Sequence, residues 1–366
     1  MARYDVTLLS QPPMNPPFIR AQLIFLLAAT SAQAMNPADN YAFYNRNPIA
    51  KAEQKTLDVA WKKARALATA DHYIFRAQRK LDNGDVAGAL ADYTHAIDLN
   101  ANDIYSLRGR GYARENTGDM HGAIQDYTRA IQLDPDDAYS FWGRGYAREH
   151  AGDNRGAIQD FTRAIAIKPD DPYPYCERGS DEEGIGDFDA ALADCNRSIA
   201  LDPNSAFAWL YRAETNTMLR NWPDAIADFQ RTCELDNKTE DYPHLYIWVN
   251  RAHESGTDTA NKDLGTYLAR RTRPEETPPR NRWYLKVCAF LFGKVSEADL
   301  FAAAISPDAK DGTGWQCEAF FYAGMKHLFA GDQSTAIDYL HKCLATGQVD
   351  YIEYQMATSE LKALGQ

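Results

Sequence analysis

The sequence predicts an all-α fold of stacked helical hairpins, and three observations carry that prediction. Residues 104–137 and 138–171 are successive blocks of 34 residues, IYSLRGRGYARENTGDMHGAIQDYTRAIQLDPDD and AYSFWGRGYAREHAGDNRGAIQDFTRAIAIKPDD. Within each block, apolar and small residues recur at helical spacing on two segments parted by Gly-Asp, and proline stops the second. Small residues also keep fixed places: Gly111 with Ala123 and Gly145 with Ala157 stand at positions 8 and 20, where paired helices approach closely. A glycine inside a helix costs about 1 kcal/mol against alanine, so these glycines, with Gly109 and Gly143, imply a packing gain. One hairpin cannot bury its apolar face alone, so neighbours must stack into a superhelix.

At the amino end, residues 14–34 read MNPPFIRAQLIFLLAATSAQA, with one basic residue, Arg20, an apolar run, and the small-residue pattern Ala32-Gln33-Ala34. This is the form of a secretory signal peptide over residues 1–34, with Met14 a candidate start, and it is too short to span a bilayer as a stable helix. The alternative is a buried apolar helix of a cytoplasmic protein. Cleavage near Ala34 gives a periplasmic or secreted chain. No cysteine follows the small residues, so lipid attachment is not supported, and no other stretch reads as a transmembrane segment.

Residues 35–69 read as a polar tether and an N-terminal capping helix, opened by Pro48 and running through Ala68 with Ala60, Ala64 and Leu67 on one stripe. Five repeats follow over residues 70–239. The first keeps Ala77, Gly84, Ala89, Tyr93 and Ala96 in place, and the fourth keeps Gly179, Gly186, Ala191 and Pro203. The fifth keeps Trp209, Ala213, Ala225 and Phe229 but has Arg220 where the turn glycine belongs. A 34-residue period with small residues at positions 8, 20 and 27, Gly at 15, an aromatic at 24 and Pro at 32 resembles the tetratricopeptide repeat (TPR) family. That resemblance implies a right-handed superhelical solenoid whose concave groove holds protein or peptide partners.

Position 7 is arginine in all five blocks (Arg76, Arg110, Arg144, Arg178, Arg212) and position 23 is aspartate in all five (Asp92, Asp126, Asp160, Asp194, Asp228). Because these places lie on helices that pack together, they form a ladder of Arg–carboxylate pairs, bidentate where geometry allows. Two independent solvated rows are the competing reading. Paired, they fix register more than they add stability, since desolvation offsets most of the Coulomb gain.

Residues 240–316 depart from the pattern. A degenerate hairpin spans 242–254 and 258–271, a proline-rich loop fills 272–279, and a second irregular pair spans 281–293 and 297–304, the latter capped by Ser296. A polar loop covers 306–314. Residues 317–350 regain the frame with Gly324, Gly331, Asp332 and Ala336, but Ala323 and Tyr339 replace the arginine and aspartate together. Residues 351–366, with Ile352, Met356, Leu361 and Leu364 on one face, are expected to cap the exposed end of the array. This succession resembles bacterial exported TPR proteins of the NlpI-like type. The likeness implies a cell-envelope adaptor that brings peptidoglycan hydrolases to a periplasmic protease, and the missing lipid-bearing cysteine sets this chain apart.

Composition narrows the partners. With 39 Lys and Arg against 51 Asp and Glu, the net charge is −12, which argues against an extended nucleic-acid or anionic-membrane footprint. Arg270, Arg271 and Arg273 are a local basic patch or a solvated helix end. The Gly-x-Gly stretches at 109–111, 143–145 and 184–186 follow no predicted strand, so they read as packing and turn glycines. The eight histidines are scattered, no HExxH or CxxC motif occurs, and no serine sits in a nucleophile elbow, so no enzyme, metal or cofactor is expected.

Six cysteines acquire weight in an oxidising compartment. Cys317 and Cys343 occupy positions 1 and 27 of one hairpin, and Cys176 and Cys195 positions 5 and 24 of another, so each pair stands at matching height. These are the disulfide candidates. Six small core thiols are the alternative.

Positions 2, 5, 9 and 12 of each first helix face the concave side of such an array. They carry Tyr105, Tyr139, Tyr173 and Phe207, then Arg108, Tyr112, Trp142 and Tyr146, then Glu115, Glu149 and Glu183. Aromatic and arginine residues dominate interface energetics, and an acidic row can orient a cationic partner. Tyrosines packed between helices with only their hydroxyls wet are the competing reading. Three functions therefore stand: a periplasmic protein- or peptide-binding scaffold, a cytoplasmic co-chaperone or regulatory module, and a cell-wall carbohydrate binder. The co-chaperone version requires a Lys and Asn carboxylate clamp that the groove positions lack. Self-association into a homo-oligomer is compatible with all three.

Overall fold

The computed structural model describes residues 48–235, 241–270, 279–305, 312–349 and 351–366. The expected signal peptide and tether before residue 48, and most of the proline-rich and polar loops, lie outside the described residues. Among those described, seventeen helices and no strands occur. They form two compact units, residues 1–153 and 154–366.

The first unit holds α1 (Pro48–Asp82), α2 (Val86–Leu99), α3 (Ile104–Asn116), α4 (Met120–Leu133) and α5 (Ala138–Glu149). Here the reading of a capping helix ending at Ala68 is corrected, because α1 runs unbroken for 35 residues into the first repeat. No glycine or proline interrupts residues 49–83, so nothing in the local chemistry stops the helix. The Gly-Asp pair then makes each hairpin turn. Gly84 and Gly118 take φ of 79° and 82°, a region that costs other residues a steric penalty. The aspartate that follows caps the next helix: Asp85 accepts from the Gly88 amide and Asp119 from the Gly122 amide, both at 2.9 Å.

Successive hairpins interlock through tyrosine and glycine. A methyl group on Gly109 would lie 2.3 Å from the Tyr93 ring of the preceding repeat, and one on Gly111 would lie 2.9 Å from the Tyr127 ring. The helical glycines thus leave room for an aromatic ring, and the buried ring area offsets their cost in helix propensity.

In the hairpins of residues 70–103, 104–137, 172–205 and 206–239 the position-7 arginine reaches the position-23 aspartate. Arg76 grips Asp92 with two bonds of 2.6 Å, and Arg110 grips Asp126 at 2.9 and 2.7 Å, with Arg114 adding a third bond of 2.7 Å to Asp126. Paired with Arg76 first and Lys80 next, the Asp92 carboxyl is held down to about 2. In the second unit Arg178 and Asp194 meet at 2.6 and 2.9 Å, and Arg212 and Asp228 at 2.8 and 2.7 Å. Arg144 and Asp160 belong to different units.

The second unit holds α6 (Asn154–Ile167), α7 (Pro172–Gly184), α8 (Phe188–Leu201), α9 (Ala206–Met218) and α10 (Trp222–Leu235). It continues with α11 (Asp241–Ser255), α12 (Thr257–Arg270), α13 (Pro279–Leu291) and α14 (Glu297–Ala304). It closes with α15 (Gly312–Phe329), α16 (Gln333–Ala345) and α17 (Ile352–Ala363). Ser296 caps α14, its hydroxyl accepting from the Asp299 amide at 3.1 Å. Helix α15 begins at Gly312, earlier than the polar loop over 306–314 allowed.

One hydrophobic cluster joins α9 through α17, with Phe229, Leu245, Tyr284, Phe290, Phe321, Tyr322, Met325 and Leu340 fully buried. Helix α17 packs on α15 and α16 and also reaches back to α9, so it does more than cap one end. Cys317 and Cys343, both fully buried, bring their sulfurs to 3.3 Å as free thiols. Cys195 is also a free buried thiol and packs against Gly179, whose added methyl would lie 3.2 Å from its sulfur; Cys176 is buried in α7.

Candidate functional site

The side chains with interface chemistry in the first unit gather on α3 and α5. Among the described residues of that unit, Tyr105 is 46 % exposed, second among the aromatics to Phe75 of α1. Beside it the Arg108 guanidinium lies 5.2 Å from the Tyr105 ring centre and 4.9 Å from that of Tyr139. Arg108 also donates to Asp137 at 3.2 Å, and Asp137 accepts from the Ser140 hydroxyl at 2.5 Å. A cation stacked between two aromatic faces is pre-organised: its rotamer is already fixed before any partner arrives.

Along α5 the row continues with Trp142 stacked on Tyr146 at 6.1 Å and Tyr146 tilted against His150 at 4.2 Å. His150 was absent from the sequence-derived set, although its i, i+4 spacing from Tyr146 is the signal that could have found it. Trp142, Tyr146 and Tyr112 are half-buried, so each shows part of its ring and anchors the rest.

The acidic row behaves differently from the expectation. Burial raises the Glu115 carboxyl to about 8, against a smaller opposing effect of the Tyr127 hydroxyl beside it. Glu183 is buried in the second unit, accepts from the Thr215 hydroxyl at 2.5 Å and is raised to about 7, again chiefly by burial. Its carboxyl therefore serves its own helices and does not present a charge to a partner. The recurrence of glutamate at position 12 was legible in the sequence, but the desolvation of these carboxyls depends on three-dimensional neighbours.

Tyr173 and Phe207 lie in the second unit, half-buried and 38 % exposed respectively. A separate concavity of about 300 Å³ there is lined by Gln230, His244, Trp248, Asp263, Tyr267 and Arg270 among others. Its Asp263 already accepts from Arg251 at 3.1 Å, and the His244 ring stacks on Tyr267 at 3.6 Å. Among the described residues no group of three or more metal-ligating side chains converges, and no helix is long and apolar enough to cross a membrane.

Comparison with known proteins bears on the repeats. The family described as tetratricopeptide repeat matches residues 76–138, 108–172 and 176–238. Among solved structures, MamA 41-end from Desulfovibrio magneticus RS-1 is 20% identical, covering 47% of this chain and 97% of that one at a TM-score of 0.43. The Pseudomonas aeruginosa pilF structure is 15% identical, covering 56% and 91% at 0.49. YrrB, described as a TPR protein with an unusual peptide-binding site, is 18% identical, covering 46% and 86% at 0.39. The identification rests on the family match together with the turn glycines, the capping aspartates and the paired helices described above. Residues 76–238 of this chain are tetratricopeptide repeats.

Proposed function

We propose that the chain is a non-catalytic scaffold that holds a protein or peptide segment on the α3–α5 face. The observation that carries this reading is Arg108, stacked between Tyr105 and Tyr139 and continued by the Trp142–Tyr146–His150 row. Rigid aromatic faces around a fixed guanidinium provide contact area at low entropic cost, the chemistry typical of interface hot spots. With Glu115 largely protonated at neutral pH, the face is less anionic than its sequence suggests. That favours contact through backbone, aromatic and carboxylate groups of the partner over a strictly cationic segment.

The finer proposal is a periplasmic location and a role in linking cell-wall hydrolases to a protease. It is supported by the signal-like residues 14–34 and by the NlpI-like succession of elements. The test is capture from an envelope extract with tagged wild-type chain beside the Tyr105→Ala/Tyr139→Ala variant. Partners retained by the wild type and lost by a variant of unchanged melting temperature support the reading; equal capture by both refutes the assigned face.

A further inference from the structure

Arg220 breaks the rule of the hairpin turns. Gly84, Gly118, Gly152, Gly186 and Gly331 make the equivalent turns with φ of 79° to 84°, whereas the α9–α10 turn places Arg220 at φ 62°. A left-handed conformation is costly for a residue with a β-carbon, and arginine has no short polar side chain to offset it locally. An observed outlier of this kind points to a compensating interaction elsewhere.

The compensation lies on the last helix. The Arg220 guanidinium donates to Glu360 of α17 at 2.7 Å, across 140 residues of sequence. The other Glu360 oxygen stands 2.8 Å from His253 Nε2 on α11. Trp222 braces both partners of Glu360, its ring stacked on His253 at 4.4 Å and lying 5.3 Å under the Arg220 guanidinium. Glu360 is thus held from the α9–α10 turn and from α11 and is nearly inaccessible to water.

Helix α17 has the form of a ligand helix. Its buried residues are Glu353, Met356, Ala357, Glu360 and Leu361, an i, i+3, i+4, i+7, i+8 stripe with a carboxylate near each end. At its amino-terminal end Glu353 accepts from the Tyr322 hydroxyl at 3.2 Å. Near it Glu214 has its carboxyl raised well above the ordinary value, first by burial and then by Glu183 and Glu353.

We propose that α17 is an intramolecular ligand of the face built by α9, α15 and α16, an acidic amphipathic helix latched by Arg220 and His253, and that it bars external helices of the same chemistry from this half of the array. Only the barring of partners rests on the scaffold reading; the latch itself does not. The test is hydrogen exchange in the full chain. Arg220→Gly removes the turn strain and the clamp together, so the amides of residues 352–363 should exchange about ten-fold faster or more, the effect of losing a charged hydrogen bond. Glu360→Gln should do the same without touching the turn. A labelled peptide of residues 349–366 should bind the Glu360→Lys chain, whose seat keeps Arg220 and His253, and not the wild type. If Arg220 is merely a turn residue, Arg220→Gly will raise the melting temperature and leave α17 exchange unchanged. That result, or no peptide capture by Glu360→Lys, overturns the latch while leaving the α3–α5 surface untouched.

Discussion

The Tyr127 ring occupies the space in which a side chain on Gly143 would stand: a methyl there would lie 2.5 Å from the ring carbon Cζ. Helix propensity alone predicts that Gly143→Ala stabilises the protein by about 1 kcal/mol. Packing predicts the reverse, a loss of about 1–3 kcal/mol from overfilling. We expect the loss, read as a lower midpoint in urea denaturation. Combining Gly143→Ala with Tyr127→Leu should recover part of it, whereas additive effects would mean that the two residues do not share the space.

The Arg110–Asp126 pair should be energetically coupled. Two bonds of 2.9 and 2.7 Å join them, and both groups are largely shielded from solvent. A double-mutant cycle should give an interaction of about 0.5–3 kcal/mol. Asp126→Asn should cost more than Arg110→Lys, because it also deprives Arg114 of its partner. Strict additivity in the cycle would show that the contact contributes nothing beyond its parts.

Stability should decline with pH because of Glu115. Its carboxyl is raised in the folded state from 4.5 to about 8, so between those values the folded chain binds more protons than the unfolded one. The contribution is fully present below about 4.5 and is lost as pH rises through about 8. Glu115→Gln keeps the neutral form at every pH and should therefore flatten the decline. A denaturation series from pH 5 to 9 checks this, and an identical slope in wild type and variant would contradict it.

The hairpins were legible in the sequence because their signals are local: a glycine that must adopt positive φ, an aspartate that caps, and small residues repeated every 34 positions. The turns before α4, α6 and α8 follow from these, while the α9–α10 turn, made by Arg220, does not. The unbroken α1 was missed because the repeat frame suggested a boundary at Ala70 that no breaker enforces. The seat of α17 was missed for a different reason. Arg220 and Glu360 are 140 residues apart, and a single contact of that kind leaves no periodic trace. Among the proposed surface residues, the aromatic row could be read from spacing, but the stacking of Arg108 and the desolvation of Glu115 and Glu183 depend on neighbours that spacing does not specify.

Exported material should show two covalent features in one experiment. The signal-like residues predict a mature chain beginning at Met35. The Cys317 and Cys343 sulfurs, 3.3 Å apart, need to close only to about 2.05 Å to bond once a disulfide oxidant of the compartment accepts their electrons and protons. Non-reducing peptide mapping of periplasmic protein should find both the Met35 terminus and a peptide joining the two cysteines. Uncleaved protein confined to the cytosol would contradict the first, and alkylatable thiols at both positions the second.

The central claim is that the α3–α5 face binds the partner. Calorimetric titration of a purified partner against the wild type, Trp142→Ala and Tyr146→Ala tests it most directly, with melting temperatures measured in parallel. The account predicts a loss of about 1–4 kcal/mol of binding free energy for each variant, the range of interface hot spots, with little change in melting temperature. Unaltered affinity, or variants that lose folding instead of binding, would show that these rings belong to the core and that the partner is held elsewhere.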